Sequence, residues 1–395
     1  MVNDPWFWAF LIGGVPLYWA IADRYRLTAL GLLSVTYLVR LEPVGTAALL
    51  LWTGLVYVLA PVGRNAPARS WIVPGLVLSL LAYLAYFKYV PRLLAAVASE
   101  PVIARVAMPI GISYFTFKLI HYVVERARGN IGPHDVFDFV SYIMLVPIFS
   151  AGPIERFDHY LSRRESAWRA QSAAEGVTRI AHGLVKKFLV ADLLVLPLLA
   201  SVRDGGELLL DLSHLPTWKV WAFCVRSFLY LYLDFRAYSD IAIGASRLFG
   251  LNILENFNWP ILASNISEFW KRWHMTLAGW CQSYVYMPTI GLTRNPYVAT
   301  YATFLAIGLW HSASPGWVLW GLYHATGISL YGTWSRERRR RKWRGLDRRG
   351  ARWVGVAATF AFVSAGAALT AIDGHGGAYD SLRVLAKLLF IDLPA

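Results

Sequence analysis

Nine stretches of almost unbroken apolar sequence constrain this chain more than any other feature: Pro5–Ala22, Val44–Val62, Trp71–Tyr89, Val136–Gly152, Ile180–Val202, Trp218–Leu233, Val298–Leu309, Gly316–Tyr331 and Trp353–Ile372. Two shorter or interrupted runs, Leu27–Val39 and Ile103–Val124, accompany them. A bilayer core needs about 20 apolar helical residues, so this pattern predicts a bundle of roughly ten or eleven transmembrane helices. Lipid-exposed backbone must satisfy its own hydrogen bonds, which favours helices. The runs are too long and too uniform for the alternation of barrel strands. Only 16% of the 395 residues are charged, below the roughly 25% usual in soluble domains. The mean hydropathy is +0.44, and 18 Trp and 21 Tyr are available for interfacial belts. One all-α integral membrane domain spanning residues 1–395 is expected, rather than several soluble ones.

Ala20-Ile21-Ala22 resembles a signal-peptide cleavage site, but the residues before the first apolar run carry Asp4 and no Lys or Arg. The run is therefore expected to remain as a membrane helix. The net charge of +14 is concentrated in Arg336 to Arg352, where ten cations face only Glu337 and Asp347. The positive-inside rule places this loop in the cytoplasm. Contact with anionic lipid is a second reading. Nucleic-acid recognition would need a surrounding soluble domain that the sequence does not supply. Cys224 and Cys281 lie in separate apolar regions and suggest neither a disulfide framework nor a metal knuckle.

Ionisable residues enter the apolar sequence only beyond residue 105: Lys118, His121, Asp234, Arg236, Asp240, Glu268, Arg272, His274, His311 and His324. Such groups are costly in hydrocarbon, so they face cavities, partner charges or substrate paths. Gly152-Pro153 is expected to break a helix. Asp158 to Glu175 suits a surface loop with a short interfacial helix. Asn256–Tyr286 mixes Trp259, Trp270, Trp273 and Trp280 with charge, as re-entrant or interfacial helices do.

His311 ends an apolar run and precedes Ser312-Ala313-Ser314-Pro315. Buried within the bundle, a neutral imidazole there would suit removal of a hydroxyl proton; a packing histidine is the plainer alternative. His274 could orient that base or polarise an acyl carbonyl, although its charged neighbours also fit an ordinary interfacial position. His324 lies 13 residues beyond His311 and about 20 Å away on a continuous helix, so the two can meet only if the chain folds back at Pro315. Asp234, Arg236 and Asp240 could bind a polar substrate or pair internally. Glu268 and Arg272 read as an intrahelical pair. No phosphate-binding loop, dinucleotide fingerprint, nucleophile elbow or metal-ligand spacing is present.

Five segments occur in an order that resembles the membrane-bound O-acyltransferase family, in its bacterial branch of alginate O-acetylation and teichoic acid D-alanyl transfer proteins. They are Pro109–Phe117 (PIGISYFTF), Ala151–Ile154 (AGPI), Tyr238–Gly244 (YSDIAIG), Phe269–His274 (FWKRWH) and Gly308–His311 (GLWH). The resemblance implies a helical bundle around a tunnel, with a core over 105–335 flanked by scaffold helices (1–104), the basic loop (336–352) and C-terminal helices (353–395). It implies catalytic roles for His311 and His274, with Trp310, Ser239, Asp240 and Trp273 beside the substrates. It further implies an acyl thioester donor, acetyl-CoA or a carrier-protein thioester, and no bound cofactor or metal. The acceptor would be a hydroxyl at the outer face, on a cell-surface or secreted glycan. An extracytoplasmic partner protein and a multi-pass position in the bacterial inner membrane follow from the same likeness.

Two departures stand out. The branch has Arg-Asp where this chain has Gln282-Ser283, and Ser-Gly where it has Arg236-Ala237. These changes are expected to alter the acceptor or partner rather than the chemistry. Aminoacyl transfer from a carrier protein is the alternative within the class; a transporter or flippase using the same polar residues is the alternative outside it.

Overall fold

A computed structural model describes residues 2–63, 69–95, 108–198, 204–343, 349–373 and 375–394. The described residues are helical and form no strand; two isolated bridges, Arg164–Leu251 and Asp373–Gly376, are the only extended pairings among them. The chain divides into two compact units. One comprises residues 1–183 and 238–255, the other 184–237 and 256–395.

The first unit begins with helices α1 (Pro5–Ala20), α2 (Asp23–Leu41), α3 (Pro43–Leu59) and α4 (Arg69–Ala95). Asp4 caps α1 by accepting from the Trp6 N–H at 3.1 Å, and Pro5 occupies the first turn, where its missing N–H costs nothing. The run expected to span Ile103–Val124 starts outside the described residues and emerges as α5 (Ile112–Arg128).

The run Val136–Gly152 is not one helix. It forms α6 (Val136–Met144), nine residues long, followed by a 3₁₀ turn over Val146–Ile148. Pro147 removes a backbone donor and Gly152 adopts φ +114°, so the apolar sequence continues after the helix has ended. The polar segment beyond contains the short α7 (Phe157–Ser162), and then α8 (Ala170–Leu184).

Three of the five family-like segments lock this unit together. A Cβ on Gly111 (φ +75°) would fall 2.9 Å from the Phe149 carbonyl oxygen. A Cβ on Gly152 would fall 3.2 Å from Ala242 Cβ, beside the Tyr238 ring. Gly176 and Gly244 face each other so closely that a Cβ on either would meet the other's carbonyl oxygen, at 2.8 and 2.6 Å. These are the close backbone crossings that membrane helices build from small residues.

The second unit takes up where α8 ends, in a π-helical stretch over Val185–Val195 and a last turn at Leu196–Leu198. It contains α9 (Gly205–Leu210) and the first part of α10, a 32-residue helix over Thr217–Leu248 whose remainder belongs to the first unit. Four short pieces then replace any straight span: α11 (Ile266–Trp270), α12 (Met275–Cys281), a π turn over Gln282–Tyr286 and α13 (Met287–Thr293). Three long helices follow, α14 (Pro296–His311), α15 (Pro315–Arg340) and α16 (Arg349–Ala371), before the short C-terminal α17 (Ala378–Leu388).

Among the described residues, Ser70–Pro91 and Gly350–Ala371 are long and apolar enough to cross a bilayer, and Pro43–Leu59 is a shorter apolar helix. Apolar side chains also point outward: Ile12, Val44 and Val58 are more than three-quarters exposed. Such a surface fits a hydrocarbon solvent better than water.

Candidate active site

The hairpin of α14 and α15 sets up the site. Pro315 starts a new helix after the extended linker Ser312–Ser314, and the chain folds back on itself. A Cβ on Gly308 would meet the Trp317 carbonyl oxygen at 2.4 Å, and one on Gly321 would meet that of Phe304 at 2.7 Å. Helix α16 crosses equally closely, since a Cβ on Gly316 would lie 2.4 Å from the Leu369 carbonyl oxygen. Glycine at these crossings brings three helices to backbone contact behind one cavity.

That cavity has a volume of about 390 Å³ and is lined mainly by apolar and aromatic side chains, among them Phe235, Trp270, Trp273 and Trp320. His274, His311 and His324 all line it. The fold-back at Pro315 therefore removes the separation expected along one straight helix, and His324 returns to the space His311 faces. Trp320 stands near both, with ring centroids 6.2 Å from His311 and 4.7 Å from His324.

The three imidazoles differ in setting. The sequence places His311 inside the bundle, whereas the structure leaves it exposed while lining the cavity. The reason is local: His311 is the last residue of α14, and the extended Ser312–Ser314 linker does not cover it. Its ring lies over Trp317, centroids 4.1 Å and planes 15° apart, with Trp310 edge-on at 4.4 Å. The buried imidazoles are His274, 3% exposed, and His324, 2% exposed. His274 Nδ1 is 2.9 Å from Asn256 Oδ1. His274 Nε2, His324 Nδ1 and Trp270 Nε1 are buried with no hydrogen-bond partner among the described residues.

Trp273 is 9% exposed and lines the cavity beside His274; Trp310 touches His311 without lining it. Ser239 and Asp240 belong to the other unit, where both are 3% exposed. Asp240 there accepts from Arg179 Nε at 3.1 Å, and Arg179 also holds Glu255 through Nη2 at 2.6 Å. Asp234 pairs with Lys187 at 2.6 Å, and Arg236 donates to the Phe257 carbonyl at 3.0 Å. Asp234, Arg236 and Asp240 thus have internal partners, and for the buried Asp240 that is what buried charge requires. Glu268 and Arg272 pair across one turn, as their spacing predicts.

Away from the membrane-crossing helices, one histidine is perturbed. The Glu155 carboxylate, fully buried, accepts from His159 at 3.0 Å and raises the imidazole's pKa. Sequence reading did not single out Asn256, Trp317 or Trp320; only their separation in space, not their spacing along the chain, marks them.

An imidazole pair on one apolar cavity, built from the two family-like segments Phe269–His274 and Gly308–His311, belongs with a match that covers most of the chain. This protein is a member of the membrane-bound O-acyltransferase family (MBOAT), whose description fits residues 99–372. Members of that family are integral membrane proteins. Among curated relatives, the chain is 31% identical over 333 residues to the probable alginate O-acetylase of Pseudomonas aeruginosa, covering 80% of this chain and 62% of that one. It is 28% identical to the teichoic acid D-alanyltransferase of Bacillus subtilis, over 65% of this chain and 67% of that protein. It is 27% identical to the peptidoglycan O-acetyltransferase of Helicobacter pylori, over 70% and 58% respectively. The chain spans 54–65% of the length of the alginate relatives it matches.

Proposed function

We propose that this protein is a membrane O-acyltransferase that moves an acetyl group from a cytoplasmic thioester, acetyl-CoA, to a hydroxyl at the outer face of the bacterial inner membrane. The acceptor is a cell-surface or secreted glycan, reached with the help of an extracytoplasmic partner protein. The observation that carries this reading is the meeting of His274 and His311, 37 positions apart in sequence, on one apolar cavity of about 390 Å³. Acyl transfer to an alcohol needs a base for the hydroxyl proton and a donor for the oxygen of the tetrahedral intermediate, and two imidazoles can divide those tasks.

The reaction is R–CO–SR′ + R″OH → R–CO–OR″ + R′SH. The apolar walls exclude water, which would otherwise compete as the nucleophile. Trp273, which lines the cavity beside His274, shapes the space for the acyl group, while Trp310 packs against His311. Acetyl is favoured over an aminoacyl group because, among the described residues, no Asp or Glu lines the cavity to meet an ammonium. The multi-pass arrangement of ten or eleven helices, and a cytoplasmic basic segment Arg336–Arg352, belong to the same proposal; that segment is not a loop throughout, since its ends continue α15 and begin α16. Ser239 and Asp240 are proposed to act away from the reacting atoms, Asp240 as the partner of Arg179. Transfer of labelled acetyl from acetyl-CoA to glycan in native membranes tests the reading; a chain-deletion strain with unchanged glycan acetylation would overturn it.

A further inference from the structure

The cavity of the second unit carries more hydrogen-bonding groups than the two imidazoles of the proposed reaction. Besides His274 and His311 it is lined by His324 and Trp270, and no Asp, Glu, Lys or Arg among the described residues joins them. His324 is 2% exposed and lies inside α15. Aromatic rings crowd it: Trp270, the last residue of α11, stands edge-on with centroids 5.2 Å apart and planes at 89°, and Trp320 lies 4.7 Å away. Helix α16 leaves room for the imidazole at Gly366, where a Cβ would fall 3.0 Å from His324 Nε2. Within this packing, His324 Nδ1 and Trp270 Nε1 are both buried with no hydrogen-bond partner among the described residues.

An imidazole kept only to fill space would be a costly choice there. A buried nitrogen without a partner loses its hydration for nothing, and a phenylalanine would fill a similar volume without that loss. Two unmet polar atoms on an otherwise apolar wall instead mark where a bound molecule supplies what the protein does not. The two atoms also specify its chemistry. The indole N–H is a donor only, so it needs an acceptor. A neutral imidazole with its proton on Nε2 has a bare lone pair on Nδ1, which needs a donor. A secondary amide carries one of each on adjacent atoms. The apolar lining around the pair suits methylenes, not a sugar ring whose several hydroxyls would go unmet.

We infer that Trp270 and His324 form a binding subsite for an amide of the pantetheine arm on which a thioester donor presents its acyl group; this deepens the acyl-transfer reading and rests on it. The amide carbonyl accepts from Trp270 Nε1–H, and the amide N–H donates to His324 Nδ1. The arm is common to acetyl-CoA and to carrier-protein thioesters, and two methylenes separate its sulfur from the nearest amide. Holding that amide sets how far the thioester reaches along the cavity. Trp320 connects the subsite to the rest of the site, its ring centroid 4.7 Å from that of His324 and 6.2 Å from that of His311. Neither Trp270 nor His324 takes part in making or breaking bonds; both bind.

The test measures binding of pantetheine itself to the full chain in lipid nanodiscs, read from the rise in the unfolding midpoint that a ligand causes. A second probe is the analogue in which the amide nearest the sulfur is an ester, which keeps a carbonyl and lacks the N–H. The wild type should bind pantetheine about 3- to 10-fold more tightly than the ester, the scale of one neutral hydrogen bond. His324→Phe should weaken pantetheine to the level of the ester and leave the ester's affinity unaltered. Trp270→Phe should weaken both probes by a similar factor. In native membranes both variants should raise KM for acetyl-CoA with kcat nearly preserved. Competition by CoA and by a phosphopantetheine-bearing carrier protein separates the two sources of the arm: whichever displaces pantetheine at the lower concentration supplies it, and displacement by neither would overturn the inference. Should either variant fail to fold, the wild-type comparison of amide with ester still decides. Equal affinities there, the result if a water satisfies the pair, would overturn it. So would folded variants that keep their affinity for pantetheine and raise KM for the glycan, which would give the pair to an acceptor hydroxyl. Amide-dependent binding in a protein that transfers no acetyl would instead keep the subsite and remove the acyl-transfer reading.

Discussion

The imidazole of His311 lies flat against the indole of Trp317, with ring centroids 4.1 Å apart and planes only 15° from parallel. The two residues are separated by the Ser312–Pro315 turn, so the stack reports directly on how α14 and α15 meet. It also gives an otherwise exposed ring one fixed orientation. Trp317→Leu should therefore lower acetyl transfer by about tenfold, on the scale of losing a positioned electrostatic contact of 1–1.5 kcal/mol, while leaving the folded protein intact. Parallel rate and thermal-unfolding measurements check this; an unchanged rate would show that the stack is packing alone.

Gly308 and Gly321 permit that meeting. A methyl on Gly308 would sit 2.4 Å from a backbone oxygen, which cannot rotate away. Gly308→Ala should cost about 1–3 kcal/mol of stability by overpacking and should displace His311, so activity falls together with the unfolding midpoint. Gly332, with open space around its Cβ position inside α15, provides the control: Gly332→Ala should leave activity unaltered and should not lower the unfolding midpoint, since Ala favours a helix interior.

The pair Arg179–Asp240 separates structural support from substrate contact. Asp240 is 3% exposed and its guanidinium partner also holds Glu255. Arg179→Leu removes the guanidinium from a buried carboxylate, a change that costs about 3–5 kcal/mol for fully buried pairs and less here, where Arg179 is partly exposed. The expected outcome is a lower unfolding midpoint with KM for acetyl-CoA preserved. A raised KM in a protein of normal stability would return Asp240 to the list of substrate contacts.

His159 makes stability depend on pH. Its hydrogen bond to the Glu155 carboxylate raises its folded pKa above the unfolded value of roughly 6.5. The stabilisation is therefore fully present below that value and is lost as pH rises through the folded pKa. Arg163 opposes this charge and Asp158 supports it. His159→Gln should flatten the unfolding midpoint across this window and leave it pH-dependent elsewhere. An unaltered slope would assign the dependence to another group.

Much of the architecture was legible in the amino-acid order because apolar length and punctuation are local signals. The runs Pro5–Ala22, Val44–Val62 and Val298–Leu309 correspond to α1, α3 and α14 with small boundary shifts, set by Asp4, Pro43 and Asn295 at their starts. Val136–Gly152 misled because hydrophobicity outlasts helicity once Pro147 intervenes. Trp218–Leu233 proved part of a helix extending to Leu248, since Asp234 and Asp240 are neutralised by Lys187 and Arg179, distant in sequence.

The site was legible in part for the same reason. His274 and His311 stand out as ionisable residues in apolar surroundings, and the resemblance drew attention to both. Their settings did not. Whether a histidine at a helix end is buried depends on what packs over it, and His311 stays exposed even with Trp317 against its ring. Asn256 lies 18 residues before His274, a spacing with no helical or strand periodicity, and only the turns between Asn258 and Arg272 bring it to hydrogen-bonding distance.

Acetyl transfer from labelled acetyl-CoA, measured in native membranes for the wild type and for His311→Ala and His274→Ala proteins of verified fold, addresses the account most directly. Two imidazoles sharing one reaction predict that each substitution abolishes nearly all transfer and that the double variant is scarcely worse than either single one. A folded His311→Ala or His274→Ala protein that acetylates glycan at the wild-type rate would contradict it.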